Sequence, residues 1–234
     1  MTTTVQPPME LGSWITRRAA ATPHLPAITF NGHTLTYRAF ADRIDRLAAE
    51  LSAGGIQRGD RVGYAGLNDP QFLVALFACA RLGAVFVPLN FRLTAPEMSY
   101  ILTDAGVHTL LADTDRAAVV DTVRAETDLQ RTVAVTTAPG WESLPELLAA
   151  RAPLTEPVHP DPDAIALVMY TSGTTGRPKG AMLTHANLFW NNMNALLAST
   201  RASTTSHSSA HHCSISEGST SPRCSPCRRA ATSC

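Results

Sequence analysis

At 234 residues the chain has the length of one large domain or two small ones, enough to bury a core. Its 44% hydrophobic and 16% charged residues exclude global disorder, collagen and a coiled coil. No run approaches the ~20 apolar residues of a membrane-spanning helix, and the first residues, MTTTVQPPMELGSW, carry no signal-peptide core. Nineteen basic and nineteen acidic residues cancel, so no net charge draws the chain to nucleic acid or membranes.

The neutrality is a sum of two unlike parts. Residues 1–200 hold fifteen Lys+Arg and eighteen Asp+Glu, a net of −3; residues 201–234 hold four Arg and one Glu, a net of +3. The second part also contains ten Ser, four Thr, three His and four of the five Cys, with Ile215 as its only large apolar side chain. Such a segment buries too little to offset its ordering entropy, so disorder is expected over 201–234 and a folded domain over 1–200.

Along the body, Leu11, Trp14, Ile15 and Ala19 recur at helical spacing from Glu10 to Ala21, and Thr22-Pro23 ends the run. Strands at Ala27–Phe30 and Thr34–Tyr37 flank Asn31-Gly32, a strong hairpin signal. Phe40, Ile44, Leu47 and Leu51 mark one face of a helix that stops at Gly54-Gly55. Arg61–Tyr64 reads as a strand, Phe72–Ala80 as a helix closed by Gly83, and Ala84–Leu89 as a buried strand. Thr94-x-x-Glu97 forms a capping box with Pro96 in the first turn, and Gly106 ends that helix. Val107–Ala112 and Thr132–Val135 are strand candidates around a helix at about Ala117–Glu126; Pro153–Pro162, with four prolines, is a connector; Ala164–Tyr170 is a further buried strand. Alternation of this kind predicts an α/β fold with a mostly parallel sheet, whose ligands sit beyond the carboxyl ends of the strands.

Directly after the last strand comes Thr171-Ser-Gly-Thr-Thr-Gly-Arg-Pro-Lys-Gly180. Its glycines permit tight turns and close approach to a ligand, its hydroxyls donate hydrogen bonds, and Lys179 supplies a point charge suited to phosphate. Consecutive N–H groups in such a turn form an anion site. A flexible linker is the bland alternative. The pattern is not the P-loop G-x-x-x-x-G-K-[ST] that runs into a helix, because Pro178 precedes Lys179 and Gly180-Ala-Met-Leu183 follows. The next helix is expected at His185–Leu197, capped by Thr184. Lys179 is the sole lysine against eighteen arginines.

Leu167-Val-Met-Tyr-Thr-Ser-Gly-Thr-Thr-Gly-Arg-Pro-Lys-Gly180, with Met182-Leu-Thr-His-Ala-Asn187 behind it, resembles the signature of the adenylate-forming (AMP-binding) enzymes. Leu35–Phe40 and Leu82–Thr94 resemble further family segments in the same order, and the wording of the second, with Glu97–Leu102 and Asp104–Gly106, is most similar to fatty-acyl-CoA synthetases. The resemblance covers residues 10–200 and implies the N-terminal part of a large adenylating domain. It also implies a two-step reaction: a carboxylate attacks the α-phosphorus of Mg·ATP to give acyl-adenylate and pyrophosphate, then coenzyme A displaces AMP. By the same resemblance Thr171, Ser172, Gly173, Thr174, Thr175, Gly176 and Lys179 would contact ATP phosphates. The family's magnesium-holding Glu, ribose-binding acid, far acyl wall and C-terminal catalytic lysine have no counterpart here, so no catalytic and no metal residue is assigned. The reading is a truncated acid–CoA ligase, inactive as printed and cytoplasmic, with ATP, Mg2+, coenzyme A and a small carboxylic acid as its ligands, and with no nucleic acid and no transmembrane segment. A residual ATP- or pyrophosphate-binding module, and adenylation directed to amino acids or a carrier protein, are the alternatives. His185 reads as a first-turn helix residue and Cys79 as a core residue, rather than as a base and a nucleophile.

The tail admits several readings. His207, His211, His212 and Cys213 with Cys224-x2-Cys227 mimic zinc-ligand spacing, and its arginines mimic a nucleic-acid arm, without aromatic interleaving. A third reading is translation out of frame. If each true codon joins the last base of one printed codon to the first two of the next, residues 201–224 permit a string that includes A-P-L-F-H-I-G-G-L-N, which is similar to the family segment after the phosphate loop. The shift then falls near Thr200.

Overall fold

The computed structural model describes residues 9–156, 158–171 and 177–200. A short 3-10 turn, Leu11–Ser13, leads into α1 (Trp14–Ala21). β1 (Pro26–Phe30) and β2 (His33–Thr36) form an antiparallel hairpin. Asn31 and Gly32 make its turn at φ 49° and 78°, the positive-φ pair a type I′ turn requires.

The remaining strands, β3 (Arg61–Ala65), β4 (Val85–Leu89), β5 (Val107–Ala112), β6 (Arg131–Ala134), β7 (Glu142–Ser143), β8 (Ile165–Thr171) and β9 (Lys179–Thr184), form one sheet in the order β7-β6-β5-β3-β4-β8-β9. All neighbours are parallel except β8 and β9. The predicted parallel α/β sheet is therefore present, with an antiparallel edge strand.

Helices cover both faces. α2 (Tyr37–Ala53) and α3 (Pro70–Leu82) pack on one side, where Phe40, Ile44, Leu47, Val74 and Cys79 meet Val62, Tyr64, Phe86 and Leu111. α4 (Ala95–Ala105) and α5 (Thr114–Arg124) pack on the other, where Met98, Ile101, Leu102 and Val120 meet Val87 and Leu110. Adjacent residues Phe86 and Val87, and Leu110 and Leu111, face opposite layers, as the period-2 strand geometry dictates. α6 (Leu144–Ala150) and α7 (His185–Thr200) complete the chain order.

Local chemistry sets the boundaries. Asp69 caps α3 through Gln71 N at 2.8 Å, and Gly83 ends it at φ 66°. The Glu97 carboxylate accepts from Thr94 N at 2.8 Å and Thr94 Oγ1 at 2.6 Å at the start of α4, and these bonds hold it below the usual carboxylate range.

Three elements were not anticipated: β7, α6 and β9. Lys179-Gly-Ala-Met-Leu-Thr184 carries no alternation, and its strand conformation comes from its pairing along β8. α6 is only seven residues with Pro145 in its first turn, too short for a periodic signal. Residues 201–234, on which the zinc, nucleic-acid and disorder readings fall, lie outside the described residues.

Candidate functional site

β8 runs beside β4 and parallel to it, so Thr171 emerges at the same sheet edge as the carboxyl ends of β3, β4 and β5. The β8–β9 ladder pairs Leu167 with Leu183, Val168 with Met182, Tyr170 with Gly180 and, on its last rung, Thr171 with Lys179. The two ends of the Gly/Ser/Thr segment are thereby brought side by side. Both end residues are exposed, and no carboxylate among the described residues forms an ion pair with Lys179. An exposed, uncompensated ammonium at a ligand-binding edge fits a phosphate. Of the seven phosphate candidates, Thr171 and Lys179 are thus juxtaposed, whereas Ser172, Gly173, Thr174, Thr175 and Gly176 lie outside the described residues.

Gly180 has a second role that the motif did not disclose. It stands opposite Tyr170, and a Cβ built there meets Val168 Cγ1 at 2.9 Å and Tyr170 Cζ at 3.1 Å. The glycine makes room for the tyrosine ring. Tyr170 Oη donates to Asp104 Oδ2 on α4 at 2.5 Å. Burial, and after it the Asp104 bond, raise the Tyr170 hydroxyl above the ordinary tyrosine range, so it stays a donor. Tyr100, also on α4, donates to the Pro178 carbonyl at 3.3 Å, and the Arg177 guanidinium lies 6.0 Å from the Tyr100 ring centroid. Sequence reasoning missed Tyr100, Asp104 and Tyr170; the four-residue spacing of Tyr100 and Asp104 was the available signal.

At the far end of β9, Thr184 Oγ1 accepts from Asn187 N at 3.1 Å and Asn187 Oδ1 from Thr184 N at 3.0 Å, a reciprocal cap on α7. His185 N donates to Ala164 O at 3.1 Å and Ala186 N to Pro162 O at 2.8 Å. The first amides of α7 are therefore engaged within the fold. His185 is the first residue of α7, as expected, and is fully buried at 0% exposure. Its Nδ1 accepts from Leu11 N at 3.2 Å, which fixes the proton of the neutral ring on Nε2. Burial, and then the nearby Arg58 charge, depress its pKa, with Glu10 opposing. Cys79 is a core residue as read, its thiol pushed up to about 12 by burial, so it holds no nucleophilic thiolate.

A groove of about 500 Å3 follows the same face of the β8–β9 pair, lined by Arg58, Arg61, Val85, Ile165 and Met182 as well as Tyr170 and Gly180. It opens beside the segment's flanks, while the Lys179 side of the hairpin end is not part of its lining. Among the described residues there is no cluster of three His, Cys, Asp or Glu side chains suited to a metal ion, and no helix is long and apolar enough to cross a membrane.

A three-layer α/β domain that presents a lysine-bearing Gly/Ser/Thr segment at the carboxyl edge of its sheet places that segment where open α/β folds take their ligands. The sequence model of the family "AMP-binding enzyme" matches residues 15–216, and the chain belongs to that family. It is 45% identical over 193 residues to a feruloyl-CoA synthase of Amycolatopsis, covering 82% of this chain and 37% of that protein. It is 41% identical over 191 residues to an indoleacetate–CoA ligase of Aromatoleum aromaticum, covering 80% and 37%. Among solved structures, a long-chain-fatty-acid–CoA ligase from Archaeoglobus fulgidus superposes with TM-score 0.77 at 27% identity, over 83% of this chain and 40% of that one. The N-terminal domain of FACL13 from Mycobacterium tuberculosis gives 0.69 at 35% identity, over 75% and 44%. The chain spans about 37% of the length of the curated relatives cited.

Proposed function

We propose that this chain carries the phosphate-binding portion of an acid–CoA ligase. The observation that supports it most directly is the β8–β9 hairpin end, which sets Thr171 beside Lys179, with no carboxylate among the described residues in an ion pair with the lysine. In the reaction, a carboxylate oxygen attacks the α-phosphorus of ATP and pyrophosphate departs. The thiolate of coenzyme A then attacks the acyl carbon and AMP departs. Lys179, the Thr171 hydroxyl and, on the family resemblance, Ser172, Gly173, Thr174, Thr175 and Gly176 would hold the β- and γ-phosphates and stabilise charge on the departing pyrophosphate. That work is positioning and electrostatics. Magnesium accompanies the nucleotide, and no residue of this chain is assigned to it. The reaction belongs where ATP and coenzyme A are supplied, in the cytoplasm.

The acid is an aryl or fatty carboxylic acid. The wording of Leu82–Thr94 favours a fatty acid, while identities of 45% and 41% to ligases named for ferulate and indoleacetate exceed the 38% to the long-chain-fatty-acid–CoA ligase FadD13. We also propose that residues 201–234 are read out of frame, from their composition and from the string their codons permit. The family match runs sixteen residues past Thr200 and stops at 216. Sequencing the DNA around codon 200 decides the matter; an in-frame Ser/Cys/His tail with no open downstream frame refutes the shift.

ATP–pyrophosphate exchange on the frame-corrected protein, with ferulic, indoleacetic and medium- to long-chain fatty acids, tests the ligase reading. Exchange with at least one acid is expected; none with any acid counts against it. The 234-residue chain itself is expected to bind pyrophosphate without turning over any acid.

A further inference from the structure

The hairpin end has little of its own to hold it. β9 is the last strand of the sheet order, pairs with β8, and is exposed over its first four residues. A lysine that serves as a point charge on such a strand is useful only if its backbone is fixed. α4 supplies the fixing points. Tyr100 and Asp104 are one turn apart and share a helix face. Asp104 takes the hydroxyl of Tyr170, the residue before Thr171 on the incoming strand, at 2.5 Å; Tyr100 reaches the carbonyl of Pro178, the residue before Lys179 on the outgoing strand, at 3.3 Å. One helix thus ties down both limbs of the segment. The helix is itself rigidly placed, by the Thr94–Glu97 cap, by buried Met98, Ile101 and Leu102, and by Gly106 at φ 63°. The same Tyr100 ring lies beneath the Arg177 guanidinium at 6.0 Å, at the edge of cation–π range.

We infer that Tyr100 and Asp104 are positioning residues for the phosphate segment, and that Tyr100 holds Arg177 as a second cation beside Lys179 for a polyphosphate ligand. The Arg177 role rests on the phosphate-binding reading above; the anchoring role does not.

The sequence offers a direct probe, because Lys179 is its only lysine. A lysine-specific endoprotease cuts the chain at Lys179–Gly180 alone, at a rate set by local opening of the hairpin end. Tyr100→Phe removes the bond to Pro178 and keeps the ring; Asp104→Asn weakens the bond to Tyr170. Cleavage is expected to accelerate about fivefold in the first and about tenfold in the second, with urea midpoints unchanged. Thr103→Ala, exposed on the same helix, is the control and should cut like the parent chain. Pyrophosphate should protect the parent, and Tyr100→Leu, which also loses the ring under Arg177, should need at least tenfold more of it than Tyr100→Phe. Unchanged cleavage overturns the anchor, as does acceleration that only tracks a lowered urea midpoint, the behaviour expected of the core variant Leu110→Ala. If pyrophosphate fails to protect the parent while the α4 variants still cut faster, the phosphate reading and the Arg177 role fall and the anchor stands.

Discussion

Gly180→Ala isolates the physical demand that the hairpin places on its sequence. Gly180 does not occupy the left-handed region, so the alanine backbone is unstrained and any effect is steric. The new Cβ would lie 2.9 Å from Val168 Cγ1 and 3.1 Å from Tyr170 Cζ, against about 3.5–4.0 Å for an ordinary carbon contact. Both neighbours must therefore retreat by roughly 0.5 Å or more. Tyr170 cannot do so without lengthening its 2.5 Å bond to Asp104. Overpacking of this kind costs about 1–3 kcal/mol; Val168 and Tyr170 are only half-buried, which favours the lower end. The loss of backbone freedom in the unfolded chain returns about 0.5 kcal/mol, leaving a net destabilisation of roughly 0.5–1 kcal/mol. Urea denaturation reads this as a lower midpoint at unchanged m-value. Val168→Ala introduced beside it removes the 2.9 Å contact and should recover part of the loss, with a coupling of at least about 0.5 kcal/mol. A midpoint equal to or above that of the parent would refute the steric account and leave ligand approach as the reason for a glycine there.

Glu50→Ala tests a buried ionic junction between α2, β6 and the end of α6. Glu50 accepts from Arg131 Nη2 and Arg151 Nε, both at 2.7 Å, with its side chain 8% exposed; Arg131 keeps its pair with Glu142 at 2.6 Å, so losing the buried carboxylate should cost about 2 kcal/mol, and a urea shift below about 1 kcal/mol would contradict it. Lys179→Met should leave stability within about 0.5 kcal/mol, since the residue is exposed, yet weaken pyrophosphate binding by calorimetry about tenfold or more; equal affinity would remove the lysine from the site. His185 sets a pH dependence: its folded pKa lies below the ordinary 6.5, so the unfolded chain binds the proton more tightly and stability rises with pH across that interval. The contribution is complete above about 6.5 and is lost as pH falls toward the folded pKa, where a proton on Nδ1 would confront the Leu11 N–H. The urea midpoint should therefore drop between pH 7 and 5.5 in the parent, and His185→Gln should flatten that slope; a persistent slope assigns the titration elsewhere.

What was legible in the sequence was what local chemistry decides. Asn31-Gly32, the Thr94–Glu97 box and the terminal glycines at 83 and 106 each encode a backbone conformation within a few residues, and the structure places each as read. The strands β3, β4, β5 and β8 were legible because each is a compact apolar run. β9 was not, since half of Lys179–Thr184 is Lys, Gly and Thr and its conformation is imposed by its partner. The anchors of the site were hidden by chain separation: 78 positions part Tyr100 from Pro178, 66 part Asp104 from Tyr170 and 174 part Leu11 from His185. His185 was placed at the helix start correctly, yet its complete burial follows only from the N-terminal segment folding over it.

On the phosphate-binding reading proposed above, the hairpin also explains why the segment would carry its cations on side chains. In a P-loop the helix begins at the lysine, and its free amides and dipole face the anion. Here β9 intervenes, and α7 begins at His185, six steps of about 3.3 Å or about 20 Å along the strand from Lys179. Its first amides are already committed to Thr184 Oγ1, Ala164 O and Pro162 O. α7 therefore offers the hairpin end no free first-turn amides, and on the phosphate-binding reading the burden passes to Lys179 and Arg177. Side-chain charges are mobile and screened where they are exposed, so their usefulness depends on how firmly the backbone beneath them is held. That is the physical reason for a helix such as α4 to grip both limbs, and for a glycine opposite Tyr170 to let it.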